Sequence, residues 1–354
     1  MTRKQFIFNL LLRTASQADN FADRCQGGYL MLEFRIWYAK SLLTLKPTIV
    51  SSFSISGEHE SDMLYLHLGC ETDFVDRWVI TENTYDFKRR KKKKFLKELV
   101  NQDRFSRYRD RVSVNTVSIC PEHNRFFKEL AIYQPYGQQG YFFIPEQLQR
   151  LSAITWLLHN NCNPEATYVL VSDCDEFYCP SHEDHRLLTG LLKAQAPDKL
   201  LLARRKFHFD YNNISMQHRS TPLVNLGWAL ISPFERLAQA RFRSAPLYQS
   251  QDHLISEYHN CFQLEDLRHK YVSHPHPESF SNLEFLLASK MNHVLVTLSK
   301  LNDLQESSDI RCETLSLSHK YIPKFIRENS EYLTNSVDKS YGENRSRCSL
   351  YSSW

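Results

Sequence analysis

A short apolar run, Tyr168-Val169-Leu170-Val171, empties directly into Ser172-Asp173-Cys174-Asp175-Glu176-Phe177. β-Branched and aromatic residues in a run too short for a helix read as a central strand. Three carboxylates at its end repel one another unless something positive sits among them. In open α/β sheets, ligands bind just outside the carboxyl ends of such strands. The stretch therefore predicts a strand that aims Asp173 and Asp175 at a divalent cation. Hard oxygen donors suit Mg2+ or Mn2+, held by one or two carboxylates and completed by water and a substrate's phosphates. An acidic triplet also occurs as a solvated turn or a helix cap, and it is the buried strand ahead of it that favours a metal.

The rest of the chain surrounds that strand with similar units. Pro47 to Phe53 is β-prone, Ser54 to Glu60 is polar, and Met63 to Leu68 is amphipathic, giving a strand, a loop and a helix. Arg77 to Thr81 reads as a second strand ending in Glu82-Asn83, and Val112 to Val117 alternates like a third. Pro145 to His159 reads as the helix that feeds the strand before Asp173. Leu200 to Ala203 and Trp228 to Ile231 are later strand candidates. Strands separated by helices imply an α/β fold with a doubly wound, mostly parallel, Rossmann-like sheet flanked by helices. Residues 1–45 read as an N-terminal helical extension broken at Gly27-Gly28, and 46–298 as the main domain. The polar stretch 299–354 reads as a C-terminal extension that wraps or trails the domain, with a short helix around Phe325 to Leu333. There is no internal repeat and no glycine-rich phosphate loop.

With 354 residues, 42% of them hydrophobic, the chain can bury a full core. No apolar stretch approaches the roughly 20 residues of a membrane span, and Phe6 to Leu12 lacks the cleavage region of a secretory signal. A soluble, cytoplasmic protein is expected. The 9 cysteines are odd in number and form no Cys-x-x-Cys pairs, which argues against a disulfide framework or a structural zinc. The net charge is only +4, yet Lys88 to Lys94 is an unbroken basic run whose removal would turn the balance negative. Arg104, Arg107, Arg109 and Arg111 follow it. Such a region is either a solvated face or a surface for a polyanion.

Val171-Ser172-Asp173-Cys174-Asp175-Glu176 resembles the Asp-x-Asp metal and nucleotide-sugar motif of GT-A glycosyltransferases. It is most similar to the Ser-Asp-Val-Asp-Glu form of glycosyltransferase family 17, the β-1,4-mannosyl-glycoprotein N-acetylglucosaminyltransferase group. Other pieces fall in the family's order. Glu60 to Leu68 looks like its Asn-Glu-x-Asp-Leu-Leu-x-x-Arg-Leu helix, and Val75 to Asn83 like its Val-Asp-x-Phe-Val-Ile-Val-Glu strand. Glu146-Gln147-Leu148-Gln149-Arg150 resembles its Glu-x-x-Gln-Arg helix. His276-Pro277-Glu278-Ser279-Phe280 stands where the family has His-Phe-Ser-Tyr-Phe, and Ile322 to Asn329 is like its terminal Pro-x-Tyr-x-x-x-Asn stretch. His274-Pro275 replaces the glycine and tryptophan that usually precede the family's histidine.

The resemblance implies a GT-A sheet and a nucleotide-sugar donor, a UDP-sugar first of all. It also implies an inverting transfer to a hydroxyl of a glycan or lipid-linked saccharide. Asp175, with Asp173 directly or through ribose and water, would hold Mn2+ or Mg2+ against the diphosphate. His276 would be a third ligand or a diphosphate contact, with His274 its competitor. Arg150 would add positive charge or anchor the motif loop; a structural salt bridge is the plain alternative. Glu82 would accept hydrogen bonds from uracil or ribose, or else cap a helix. Asp252 and Asp210 are the candidate bases, and either is equally readable as a loop residue bonding its own backbone.

Three other functions compete. A glycosyltransferase acting on hydroxymethylated bases of DNA would use Lys88 to Lys94, Arg104 to Arg111 and Arg204-Arg205-Lys206 as a phosphate track. A Mg2+-dependent phosphotransferase or nuclease would use the same carboxylates. A binding protein that kept the fold would need none of this chemistry.

Overall fold

The computed structural model describes residues 46–86, 90–119, 140–160, 162–208, 213–231, 247–248, 254–259, 312–314 and 322–329. Its strands are β1 (Thr48–Ile55), β2 (Arg77–Asn83), β3 (Val112–Val117), β4 (Thr167–Val171), β5 (Glu176–Tyr178), β6 (Lys199–His208), β7 (Asn213–Asn225), β8 (Leu247–Tyr248), β9 (Ile255–His259) and β10 (Cys312–Thr314). They form one sheet in the order β3-β2-β1-β4-β7-β6-β9-β5, with β10 beside β7 and β8 beside β6. The helices are α1 (Ser61–Glu71), α2 (Leu96–Val100), α3 (Gly140–His159), α4 (His182–Gln195), α5 (Leu226–Ile231) and α6 (Lys324–Glu328).

The half β3-β2-β1-β4 is wholly parallel, so Ile55, Asn83, Val117 and Val171 all end at one edge. This is the expected Rossmann-like α/β arrangement. In the other half β7 runs antiparallel to β4 and β6, and β5 antiparallel to β9, so parallel pairing does not extend across the sheet. Because β1 leads through α1 to β2 on one side while β4 lies on its other side, the strand order switches between the ends of β1 and β4. Ligand crevices open at such switch points.

Period-two alternation divides the strands between two apolar layers. Ile49 and Phe53 of β1, Trp78 and Ile80 of β2, and Tyr168 and Leu170 of β4 face one layer with α1. Val50, Val79, Val169 and Val171 face the other, against Ala153, Ile154 and Leu157 of α3. Full burial of each large side chain contributes about 1.5–3 kcal/mol, which is why both faces carry helices.

Three sequence expectations change here. Trp228 to Ile231 is not a strand: Asn225 ends β7 and its Oδ1 accepts the Trp228 N–H at 3.1 Å, capping α5. The apolar run then buries Leu226 and Ala229 against α3 as a helix. Leu200 to Ala203 is the start of a much longer strand, β6. Its partner β7, the longest strand, was not expected, since Pro222 and a string of polar residues obscure it.

The far C-terminal part joins the main body. β10 pairs with β7, and α6 packs on α1, where the Phe325 ring lies against Gly69 so closely that a Cβ there would strike it. Ile322 and Ile326 are fully buried in the same layer as Trp78. The expected N-terminal extension, residues 1–45, lies outside the described residues. Among the described residues no helix is long and apolar enough to cross a membrane.

Candidate functional site

The turn between β4 and β5 carries Asp173 and Asp175, and every carbonyl in it has a donor. Ser172 O accepts from Arg150 Nη1 at 3.1 Å, and Asp173 O from the Glu176 amide at 3.0 Å. Cys174 O faces His67 Nδ1 at 3.0 Å, and Asp175 O accepts the Tyr258 amide at 2.7 Å. Arg150 reaches the turn from α3 on one face of the sheet and also bonds the Asp173 carboxylate through Nη2. His67 reaches it from α1 on the opposite face. Its other nitrogen, Nε2, lies 3.1 Å from Glu71 Oε1 and 3.3 Å from Ser51 Oγ. Glu71 in turn accepts the Tyr178 amide at 2.9 Å and the Trp78 indole N–H at 2.9 Å, tying β5 and β2 to the same helix. The turn is thereby held from both layers, with Asp175 buried and the Asp173 side chain 44% exposed at the rim.

Behind the turn lies a buried ionic network. Arg204 of β6 bonds Glu176 through Nη1 and approaches Glu257 Oε2 at 3.1 Å, while Lys206 Nζ lies 3.7 Å from Glu257 Oε1. Thr221 of β7 donates to the second Glu176 oxygen at 3.1 Å. Burial, together with Asp173, Glu257 and Asp175 and against the pull of Arg204, pushes the Glu176 carboxyl up to about 7. Burial alone would lower the Arg204 pKa, and the carboxylates of Glu176 and Glu257 more than reverse that. The cations expected to be solvent-facing at Arg204-Arg205-Lys206 are thus interior: all three are buried, and Arg204 and Lys206 neutralise β-strand carboxylates. They do not form a phosphate track.

The other wall of the crevice is built from the end of β1 and the end of β2. Ser56 donates its amide and hydroxyl to Glu60 Oε2, at 2.5 and 2.9 Å, and its carbonyl accepts from Lys92 Nζ. Burial lowers the Lys92 pKa, opposed by Glu60, Glu82 and Asp86. Beyond β2 the chain folds back on itself: Lys92 N bonds Thr84 O, Tyr85 bridges Lys91, and Asp86 N bonds Arg90 O. Residues 90–92 of the basic run are therefore the returning arm of a small hairpin. Glu82 is buried, and its Oε1 accepts the amides of Phe95 at 2.7 Å and Leu96 at 3.3 Å, where α2 begins.

The structure brings Arg150, Asp173 and Asp175 together at the β4 edge, and Glu82 two strands away at the β2 end of the same rim. Asp210, Asp252 and His276 lie outside the described residues, as do Lys88 and Arg89. The arginines expected to continue the basic surface are engaged elsewhere. Arg104 pairs with Asp62 at 2.7 Å, Arg107 bonds the Tyr108 hydroxyl, Arg109 bonds Asn101 O, and Arg111 bonds Thr72 O and stacks 4.4 Å over Trp78. His67, Glu71 and Glu257 were not expected, and Lys92, expected only as part of the outward basic run, turns in to Ser56 O. The signal for the first two was present as a His and a Glu one turn apart among the apolar residues of the helix, since buried polar groups require partners.

Asp173 and Asp175 offer hard oxygens at a fixed turn, which fits Mg2+ or Mn2+ bound largely through a ligand's phosphates and water. Among the described residues no group of three or more His, Cys, Asp or Glu could by itself hold a metal ion. No protein-family model matches the chain, and no curated protein sequence does. Several solved chains match. One is the crystal structure of 4-diphosphocytidyl-2C-methyl-D-erythritol synthase, 14% identical over 58% of this chain and 90% of that one, with a TM-score of 0.33, too low to carry an argument. The likeness to glycosyltransferase family 17 rests on the motifs alone.

Proposed function

We propose that this chain is a metal-dependent glycosyltransferase that moves a sugar from a nucleotide donor to an acceptor hydroxyl, with inversion. The observation that carries the reading is the Asp173-Cys174-Asp175 turn at the switch point, with all its carbonyls engaged, the Asp173 carboxylate at the rim and Asp175 buried beside it. A departing diphosphate needs positive charge fixed in advance, and carboxylates held at a set turn would serve by holding the cation that supplies it. Asp175 and Asp173 would hold Mn2+ or Mg2+, with His276 as a further ligand or diphosphate contact. When bound, the ion supplies Lewis-acid stabilisation of the departing diphosphate.

The chain's own groups do the remaining work. Arg150 keeps Asp173 oriented and adds positive charge behind it. Glu82, expected to meet the base or ribose of a UDP-sugar or else to cap a helix, is buried and bonds the amides that open α2, so its part here is to fix the β2 side of the rim. Asp252 or Asp210 would take the proton from the attacking hydroxyl on the face opposite the leaving group. A glycan or lipid-linked saccharide is the acceptor that the family resemblance implies.

The test is a screen of common sugar nucleotides with and without Mn2+, following thermal unfolding and release of nucleoside diphosphate. A true donor at a hundred times its Kd should stabilise the chain by about 2.7 kcal/mol. Stabilisation by no donor under either condition would sink the reading. Release of inorganic phosphate without sugar transfer would instead favour a phosphotransferase or nuclease.

A further inference from the structure

We infer that the hairpin beyond β2 is a docking surface for the phosphodiester backbone of a nucleic acid. The inference goes beyond the transferase reading and does not depend on it. Its basis is that residues 90–92 of the basic run are folded rather than trailing: two backbone hydrogen bonds flanking the Tyr85–Lys91 bridge join 84–86 to 90–92, and Lys92 pins them inward to Ser56 O. Just past it, Glu82 holds the amides of Phe95 and Leu96. With Lys92 turned in, Arg90, Lys91, Lys93, Lys94 and Lys97 are left exposed on a rigid base. Arg90 and Lys93 each meet one acid, Asp86 and Glu98, but both cations stay more than half exposed, at 61% and 75%. Surface pairs of that kind are weak and yield readily to a stronger anion.

Place decides what kind of anion fits. The hairpin leaves the sheet at the end of β2, next to β1, which is next to β4. At the usual strand spacing that sets it roughly 10 Å to the side of the Asp173 turn, on the same rim. A membrane surface is a poorer match, because interfacial binding needs apolar groups to insert beside the cations. The large hydrophobic side chain exposed among the described residues is Leu187 on α4. It lies at the opposite edge, where His182 and His185 of α4 meet Phe74 ahead of β2. A dense line of phosphates satisfies clustered lysines by counterion release and needs no apolar anchor.

The experiment is fluorescence anisotropy of the full chain with labelled single-stranded and duplex oligonucleotides, DNA and RNA, across a salt series with no donor or metal added. Unlabelled heparin and phosphatidylserine vesicles serve as competitors. Binding should weaken linearly in log salt. Lys91→Glu/Lys93→Glu/Lys94→Glu should lower the affinity at least tenfold and reduce the salt slope by roughly 2–3, about 0.9 per lost duplex contact and 0.7 for a single strand. Arg186→Glu, an exposed reversal on α4, should leave both unchanged. Circular dichroism of each variant confirms that the fold is kept. The inference is overturned by any of three results: no binding at low salt, a triple variant that binds like the parent, or an Arg186→Glu loss of equal size. Stronger capture by heparin or vesicles at equal charge also overturns it, in favour of an anionic glycan or a lipid surface.

Discussion

Arg150 and Arg204 are both buried, but they serve different neighbours. Arg150 uses two guanidinium nitrogens at once, on Ser172 O and on the Asp173 carboxylate. A lysine cannot reproduce that fork. Arg150→Lys should therefore lose donor affinity, with about 1–3 kcal/mol of stability lost through unpaired acceptors; the donor KM and a urea titration measure the two effects separately. Arg204→Met strips the cation from Glu176 and Glu257 together. Breaking a buried pair by removing one partner costs about 3–5 kcal/mol, so the urea midpoint should fall far more than for Arg109→Met, whose side chain is exposed. The strand that ends at the Asp173-Cys174-Asp175 turn was legible in advance, because a short apolar run before three acids reads as a buried strand end. The turn's supports were not legible. His67 lies 107 positions before the carbonyl it meets, and no local pattern encodes a contact of that range.

At the scale of elements, two joints control how the site's supports are held. α1 carries His67 and Glu71 and is covered on its outer side by α6, where Phe325 sits over Gly69. Gly69→Val should displace α6 and cost about 1–3 kcal/mol through overpacking. Combining it with Phe325→Ala should give less than the sum of the two losses, as a double-mutant cycle of unfolding free energies will show. α4 ends in Ala196 with φ of 41°, a left-handed conformation that disfavours a Cβ. Ala196→Gly should raise the stability by about 1 kcal/mol and shift the thermal midpoint upward without changing ligand binding.

Elements with clean periodicity were readable. Val112 to Val117 alternates and forms β3 over the same residues. β7 was hidden because Pro222 and the polar Gln217-His218-Arg219-Ser220 deny it a strand pattern, while its neighbours β4 and β6 supply the pairing that makes it one. Trp228 to Ile231 failed for the complementary reason. A short apolar run is ambiguous between strand and helix, and the Asn225 cap decides it.

Among the described residues, the edge where the parallel strands end has two unlike walls. The β4 side is acidic and fixed from both layers, and the β2 side carries exposed cations on an anchored hairpin. The net charge of +4 conceals this division, since the interior acids and cations of β6 and β9 largely cancel each other. The parallel half of the sheet was legible from the succession of strand and helix patterns. The antiparallel half was not, because β7 lacks a strand pattern and the short β5 meets its partner β9 only from far along the chain. On the proposed function, the Asp173-Cys174-Asp175 turn would hold the metal at which a sugar nucleotide reacts. The most direct measurement of this is mass-resolved sugar transfer by the parent chain and by Asp175→Asn, with the best donor of the screen and Mn2+. Transfer should fall by at least a hundredfold in Asp175→Asn while the urea midpoint stays close to that of the parent. Transfer undiminished in a folded Asp175→Asn chain would contradict that reading.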